Sequence, residues 1–404
     1  MKRNSLTRFF SFAMILMILP AFLQAQDEDK EEEKGYEFTV LKEIPVTSVK
    51  DQHRSGTCWS FASTSFFEAE LLRQGKGEYD LSEMFIVWNT YYDKAERYLR
   101  WHGNINFGAG GAFHDVTEII ENVGIVPESV YSGKVIGEEG HVHGEMDAAI
   151  KGYMDGVMKN RNRKLTPVWK EGLAGILDAY LGGYPDRFIY EGKEYTPGTF
   201  AQSLGLDMDD YVEIGSYTHH PFYEKFIIEV PDNWMLDEIY NVPLEEMMEV
   251  IDHAIENGYT VAWGADVSEK GFSWKNGVAI VPDAVPEDMS GTERERWEAL
   301  TEKEKQEMLY KFDGPGKEKV ITQEMRQEAF NNYQTTDDHG MHITGMAEDQ
   351  EGNEYYLVKN SWGTDGNDYE GYFYASKPFV AYKTIDVMVH KDAIPANIRE
   401  KLDF

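Results

Sequence analysis

The chain contains a single cysteine, Cys58, within the stretch QHRSGTCWSF at Gln52–Phe61. A thiol attacks a carbonyl group as the thiolate, and the positive end of a helix dipole stabilises that anion. Because no Gly or Pro occurs from Cys58 to Arg73, we predict a helix there, with Cys58 in its first turn. A lone cysteine is also typical of a small buried apolar side chain, so Cys58 alone does not establish a nucleophile.

Two distant segments contain the groups that a thiol nucleophile needs. His339 begins one candidate strand and Asn360 ends another. A neutral imidazole can accept the thiol proton and later protonate a leaving amine, and an amide oxygen on its other nitrogen would orient the ring. Gln52, six residues before Cys58, can donate an amide N–H to the oxygen that becomes negative during attack. We therefore hypothesise nucleophilic catalysis by Cys58, His339, Asn360 and Gln52.

The elements that must position these groups are predicted from the hydrophobic pattern. Helices are expected at Cys58–Arg73, Phe113–Val123 and Leu244–Asn257, and strands at Tyr259–Trp263, His339–Thr344, Glu354–Asn360 and Gly371–Ala375. Helices come early and strands late, which is typical of a two-lobed α+β protein. We expect a first lobe at residues 45–135, an insertion at 140–231 and a second lobe at 232–404, with a charged helical insertion at 286–332.

These segments resemble the papain-type cysteine peptidases, and within that superfamily the bleomycin hydrolase and aminopeptidase C branch. Gln52–Phe61 matches the nucleophile motif, His339–Gly345 the histidine strand and Asn360–Gly363 the asparagine motif. The similarity is weakest at residues 191–230 and 286–332. The resemblance implies a papain-like fold, with a helical lobe, a β-barrel-like lobe and helical insertions. It also implies peptide substrates and no cofactor.

The resemblance also implies roles for individual residues. A glycine six residues after the catalytic histidine selects His339 over His342, which would face the other side of the strand. Trp362 would cover the His339–Asn360 contact, although it could also be an ordinary core residue. Gly110 and Gly111 would form a cleft wall that pairs with extended substrate, although they could also form only a turn.

The resemblance leaves the kind of peptidase open. In this branch the C-terminal arm lies in the cleft and its carboxylate meets the α-amino group of the substrate, which implies an aminopeptidase. Here the sequence ends at Phe404, where that arm would start, so an endopeptidase is the alternative. A peptide-binding module without catalysis is a remoter alternative. The branch forms hexamers through N-terminal elements that are not evident here, so the oligomeric state stays open.

Other histidines and acidic residues allow two further expectations. His219–His220 and His141–His143 have the spacing of metal ligands, but pairs of surface histidines are common and no carboxylate motif accompanies them. We therefore expect no metal site. Asp337 and Asp338 precede His339, and carboxylates near an imidazole favour its protonated form. We thus expect a thiolate–imidazolium pair that persists above pH 7.

Composition excludes several classes of protein. The chain has 39 Lys and Arg against 72 Asp and Glu, a net charge of −33, which disfavours nucleic acids and anionic lipids as partners. One thiol cannot form an intrachain disulfide or a cysteine-based zinc or iron–sulfur site. With 42% apolar residues the chain has enough material for a folded core.

The N-terminus has the pattern of an export signal. Lys2 and Arg3 precede an apolar run at Phe9–Leu23 and a small residue, Ala25, so we predict a signal peptide at residues 1–25. The apolar run is shorter than the roughly 20 residues that span a bilayer, so no stable membrane anchor is expected. Residues 26–44 would be an acidic leader, and the protein would be periplasmic or extracellular.

Overall fold

The computed structural model describes residues 35–162, 164–283 and 291–404. The predicted signal peptide and residues 26–34 of the predicted leader lie outside this part of the chain. Within the described part of that leader, Phe38–Glu43 forms a strand of the main sheet whose residues are largely exposed. The acidic leader that we expected at residues 26–44 thus includes a strand near its end.

Helices dominate the first half of the described chain. Their bounds are α1 Cys58–Arg73, α2 Glu83–Arg100, α3 Phe113–Asn122, α4 Gly144–Met158, α5 Val168–Leu181, α6 Pro197–Leu204, α7 Leu244–Glu256, α8 Gly291–Ala299, α9 Glu302–Leu309, α10 Gln323–Asn331, α11 Lys377–Lys383 and α12 Ala396–Lys401. None of these helices combines the length and the apolar character needed to cross a bilayer.

Strands dominate the second half. Their bounds are β1 Phe38–Glu43, β2 Phe188–Tyr190, β3 Lys193–Tyr195, β4 Tyr211–Gly215, β5 Lys225–Ile227, β6 Glu238–Asn241, β7 Val261–Ala265, β8 Phe272–Ser273, β9 Val278–Ala279, β10 His339–Asp349, β11 Glu354–Lys359, β12 Tyr372–Ser376 and β13 Thr384–His390. The main sheet runs in the order β5-β6-β4-β13-β7-β10-β11-β12-β9-β8, with β1 paired to β10. This path has two free ends, so the described strands form an open, sheet-rich lobe, which is consistent with the β-barrel-like lobe that the resemblance implies.

Two hydrophobic cores correspond to the two halves of this α+β fold. The helical core takes buried residues from α1 to α6, including Phe66, Phe85 and Leu177. The second core lies on the sheet and includes Trp263 and Val387, covered by Ile251 of α7. β4 and β5 join this sheet although they lie within residues 140–231, which we predicted as an insertion. The sheet lobe thus begins well before residue 232.

Helix α1 joins the helical core to the sheet. Thirteen of its 16 residues are buried, as expected of a helix that is enclosed on all sides. Ser63 and Thr64 satisfy their hydroxyls by donating to carbonyls one turn earlier, at 2.8 and 2.9 Å. A Cβ atom on Gly340 would lie 3.2 Å from the Trp59 Cα, so the glycine lets β10 approach the start of α1 closely. The first turn of α1 therefore lies against the first residues of β10.

The antiparallel pairing of β10 and β11 brings His339 and Asn360 together. His342 pairs with Lys359 in this ladder, so β10 begins at the edge of the sheet where β11 ends. His339 starts β10, and Asn360 directly follows β11. His339 and Asn360, which are distant in sequence, thus meet at one edge of the sheet, beside α1.

Candidate active site

A cavity between α1 and the start of β10 is lined by both Cys58 and His339. Cys58 is the first residue of α1, as predicted, and is partly exposed. The backbone N–H of Gly340, the residue after His339, hydrogen-bonds the Cys58 thiol. The thiol and the imidazole that the sequence singled out are therefore neighbours.

The side chain of Asn360 determines which nitrogen of His339 faces the cavity. Asn360 Oδ1 lies 2.7 Å from His339 Nε2 and also accepts the backbone N–H of Ser361 at 2.8 Å. Because Oδ1 is thus an acceptor, His339 Nε2 carries the proton, and Nδ1 is left as the basic nitrogen. Trp362 stacks on the imidazole with ring centroids 4.7 Å apart, covering the contact as the resemblance implies.

Hydrogen bonds hold Gln52 between Ser55, in the turn before Cys58, and Ser361, just after β11. Its backbone N–H donates to the Ser361 carbonyl at 2.8 Å, and its Oε1 accepts the Ser361 hydroxyl at 2.6 Å. Its Nε2 donates one hydrogen to the Ser55 carbonyl, at 2.8 Å. The second hydrogen of Nε2 is available for the role of oxyanion donor that the sequence predicts.

The protonation of Cys58 and His339 contradicts our expectation of an ion pair. Burial raises the pKa of the Cys58 thiol to about 12, and the negative charges of Asp337 and Asp232 add to this effect. Burial lowers the pKa of His339 to about 4, and the opposing charge of Asp338 is too weak to reverse it. The free site therefore holds a thiol and a neutral imidazole, so the proton must move during attack.

Comparisons with known proteins find two family models that match parts of the chain. The model of the papain family cysteine protease matches residues 37–167, and that of the peptidase C1-like family matches residues 309–404. Aminopeptidase C from Streptococcus thermophilus is 23% identical, with 91% of this chain and 86% of the relative covered. Aminopeptidase E from Lactobacillus helveticus is 22% identical, with 86% of this chain and 82% of the relative covered.

A solved structure provides the comparison of folds. The crystal structure of PepW from Lactobacillus rhamnosis superposes with a TM-score of 0.66 at 19% identity, covering 90% of this chain and 84% of that one. These similarities support a place for the chain in the papain-type cysteine peptidase superfamily, on the aminopeptidase C branch. The chain has the papain-like α+β fold, and it is a cysteine-type peptidase.

The Gly110–Gly111 wall of this peptidase faces a carboxyl group. A Cβ atom on Gly110 would lie 1.8 Å from Asp232 Oδ2, and one on Gly111 would lie 2.8 Å from the Trp59 indole. Neither position has room for a side chain, which explains both glycines. The side of the wall on which a Cβ would lie thus packs against Trp59 and Asp232. Both glycines are partly exposed, and the pairing of their backbone with extended substrate stays a prediction.

Asp232 lies in the hairpin loop 228–237, which connects β5 and β6. Ile228, Val230 and Asp232 of this loop line the same cavity as Cys58, together with Asp337 and Asp338. The cavity offers about 30 Å³ for the centres of water-sized groups. The loop thus narrows the cleft beside Cys58.

Three other histidines that the sequence analysis considered, one as the base and two as metal ligands, do not line the cavity of Cys58. His342 is 1% exposed, and its Nδ1 contacts Ser65 Oγ at 2.9 Å. His141 and His143 are each 4% exposed, so they are not the surface pair that we expected. Burial lowers the pKa of His141 to about 3 and that of His143 to about 4.

The histidine pair at 219 and 220 has the carboxylate that the sequence did not reveal. His219 Nε2 and His220 Nε2 each lie 3.0 Å from an oxygen of Glu229, within reach of a common metal ion. Gln327 Oε1, however, accepts the backbone N–H of Thr218, so its Nε2 donates to His219 Nδ1 at 3.1 Å. That bond keeps the proton on His219 Nε2, the nitrogen that would have to bind the metal. The hydrogen bonds thus favour a histidine–carboxylate cluster over a metal site.

Sequence analysis missed Lys94 and Asp232. Lys94 is fully buried, and its Nζ donates to the carbonyls of Gly108 and Gly110, which fixes the glycine wall. The spacing of Tyr91, Lys94 and Tyr98 on one face of α2 could have indicated that Lys94 is buried. Asp232 gave no signal, because it lies in a loop without a motif and meets Gly110 only in the folded chain.

Proposed function

We propose that this peptidase is an aminopeptidase that removes one residue from the N-terminus of a peptide. The observation that carries the catalytic part is the shared cavity of Cys58 and His339, with Asn360 on the outer nitrogen of the imidazole. This arrangement leaves His339 Nδ1 as the base beside the only thiol of the chain.

The mechanism follows from the protonation states of the free site. His339 Nδ1 accepts the Cys58 proton as the sulfur attacks the substrate carbonyl carbon, and the Gln52 amide and the Cys58 backbone N–H stabilise the resulting oxyanion. Collapse of this intermediate breaks the C–N bond, and the imidazolium gives its proton to the leaving amine. Water, deprotonated by His339, then attacks the thioester and releases the carboxylic acid and the thiol.

Two observations favour cleavage next to the N-terminus over cleavage within a chain. The relatives that cover most of this chain carry the names aminopeptidase C and aminopeptidase E. Residues of the loop 228–237 line the cleft beside Cys58 and narrow it, which leaves about 30 Å³ for the centres of water-sized groups. An endopeptidase needs an open groove on both sides of the scissile bond.

The test compares Cys58→Ala with the parent enzyme on peptides that differ only in a free or an acetylated N-terminus. We expect the parent to cleave the free peptide and not the acetylated one, and Cys58→Ala to lose at least about 10⁴-fold in kcat. Asp186→Asn, an exposed loop substitution, serves as the matched control. Equal cleavage of both peptides would instead establish an endopeptidase, and full activity of Cys58→Ala would refute thiol catalysis.

A further inference from the structure

We propose that the carboxyl groups of Asp232 and Asp337 bind the α-ammonium group of the substrate, and that this ion pair also promotes ionisation of Cys58. The inference rests on the proposed aminopeptidase function and deepens it. It assigns to two side chains both the selection of free N-termini and the activation of the nucleophile by the correct substrate.

The loop that carries Asp232 is held firmly in the cleft. Asn233, which is 2% exposed, donates to the carbonyls of Ile228 and Asp237 at 3.1 and 2.9 Å and so ties the two ends of the loop together. Trp234 Nε1 donates to Asp115 Oδ2 at 2.8 Å, next to the Gly111 wall. Asp232 lies directly before these two anchors, so its carboxyl has a defined position against Gly110.

The two carboxyls have little to bind within the protein. Asn106 Nδ2 donates to Asp232 Oδ1 at 2.9 Å, and Oδ2 has no hydrogen bond to any described residue. The Asp337 carboxyl has none either, within the part of the chain that the structure describes. Burial, together with the charges of Asp232 and Asp338, raises the pKa of Asp337 to about 7. Such groups gain most from a cation that arrives with the substrate.

The nearby cations are already engaged. Lys94 donates to the carbonyls of Gly108 and Gly110. His114 Nδ1 lies 3.1 Å from Glu213, and although burial lowers the pKa of His114, Glu213 raises it to about 10. Among the described residues no salt bridge joins either cation to Asp232 or Asp337, although the charge of Lys94 partly offsets the effect of burial on the pKa of Asp232.

The remaining titratable groups at the cavity have partners or are neutral. Asp338 accepts hydrogen bonds from Ser268 and Thr336. Asp115 accepts hydrogen bonds from Trp234 and Ala112. Burial beside Glu213 keeps the pKa of Asp386 well above its usual range, so its carboxyl is neutral. The negative charge that is free to act on a ligand at this end of the cleft is therefore that of Asp232 and Asp337.

The cavity also has the size and the unsatisfied polar surface for a small polar group. It offers about 30 Å³ for the centres of water-sized groups, which is enough for an ammonium group. His114 is 7% exposed and lines the cavity, and its Nε2 has no hydrogen-bond partner among the described residues. This N–H is a donor and an ammonium group has no acceptor, so a carbonyl oxygen of the substrate or a water molecule would be its partner.

The same two carboxyls act on the nucleophile. Their charges add to the effect of burial in raising the pKa of the Cys58 thiol. An ammonium group bound between them cancels this charge, so the thiolate becomes easier to form when a substrate with a free N-terminus is present. A substrate with a blocked N-terminus gives neither the binding nor the activation.

The experiment uses the isosteric variants Asp232→Asn and Asp337→Asn of the full-length enzyme, with Asp186→Asn as the control. We expect each cavity variant to lower the ratio of kcat/KM for free over acetylated peptide by about tenfold or more, since each removes one charge from the ion pair. We also expect iodoacetamide, a neutral reagent, to alkylate Cys58 in both variants about threefold faster or more at pH 7. A merely structural role would not accelerate alkylation.

The outcomes separate this inference from the proposed function. If the parent cleaves only free peptides and both variants keep that selectivity, the inference is overturned while the aminopeptidase stands. If alkylation of Cys58 is unchanged in both variants, the coupling to the thiol is refuted. If the parent cleaves free and acetylated peptides equally well, the proposed function itself fails.

Discussion

The two sides of the catalytic cleft differ in how their polar groups are satisfied. On the His339 side, hydrogen bonds run from His339 through Asn360 to Ser361, and from Ser361 to Gln52. On the carboxyl side, defined by Asp232 and Asp337, Asp232 accepts a single side-chain hydrogen bond, from Asn106, and Asp337 has none among the described residues. The first side needs fixed geometry for chemistry, whereas the second keeps its charges available for a ligand.

On the His339 side, we expect the largest loss of kcat for Gln52→Ala. It removes the amide donor to the oxyanion, and loss of one such donor costs about 100-fold or more in kcat. Peptide hydrolysis with saturating substrate measures it. Ser361→Ala is the matched control, because it deletes the hydroxyl on Gln52 Oε1 but keeps the amide. An equally large loss in Ser361→Ala would mean that Gln52 acts only as a structural link.

A smaller effect on the same side is expected for Trp362→Leu. The indole shields the His339 ring, whose pKa burial lowers to about 4, so removal of the indole should raise that pKa and shift the acid limb of the kcat/KM profile to higher pH. We expect a loss of roughly tenfold in kcat at pH 7 from the less ordered base. Trp274→Leu is the control, because Trp274 packs on Trp362 at 5.2 Å between ring centroids. An unshifted profile in Trp362→Leu would show that the indole does not tune His339.

The smallest effect concerns stability on the carboxyl side. The pKa of Asp337 is about 7 in the folded protein, above the 3.8 of an unperturbed aspartate, so folding favours its protonated form. The destabilisation of the folded protein by the ionised Asp337 carboxyl is therefore absent below pH 3.8. It grows as the pH rises to 7 and is constant above that. Asp337→Asn should raise the thermal midpoint at pH 8 by about 2 °C or more and show a smaller gain at pH 5. A gain that is equal at both values of pH would contradict the raised pKa.

Much of the fold could be predicted from local patterns in the sequence. The helix from Cys58 to Arg73 was predicted with its observed bounds, because a run without Gly or Pro follows a turn. The strand containing His339 was predicted too short, since it extends to Asp349 through pairing with β1. The residues of β4 and β5 contain no long alternating run, so their place in the main sheet depends on tertiary pairing that no local pattern encodes.

The candidate site, like the fold, could be predicted only in part from the sequence. The residue types and order of Cys58, His339 and Asn360 were visible in the sequence, because each lies at the end of an element with a clear pattern. Their protonation was not, since the predicted effect of Asp338 on His339 is smaller than that of burial, which only the fold reveals. Asp232 was invisible for a similar reason, because its contact with Gly110 spans 122 residues.

The loop that carries Asp232 starts and ends in one antiparallel pair of strands, β5 and β6. Because its ends are held together by the sheet, the loop can change in length or composition without moving the thiol, the imidazole or the amides. The loop that is proposed to select the substrate is thus structurally separate from the residues that carry out the reaction. Transplanting shorter, uncharged loops at residues 228–237 offers a direct route to an engineered enzyme that accepts internal peptide bonds.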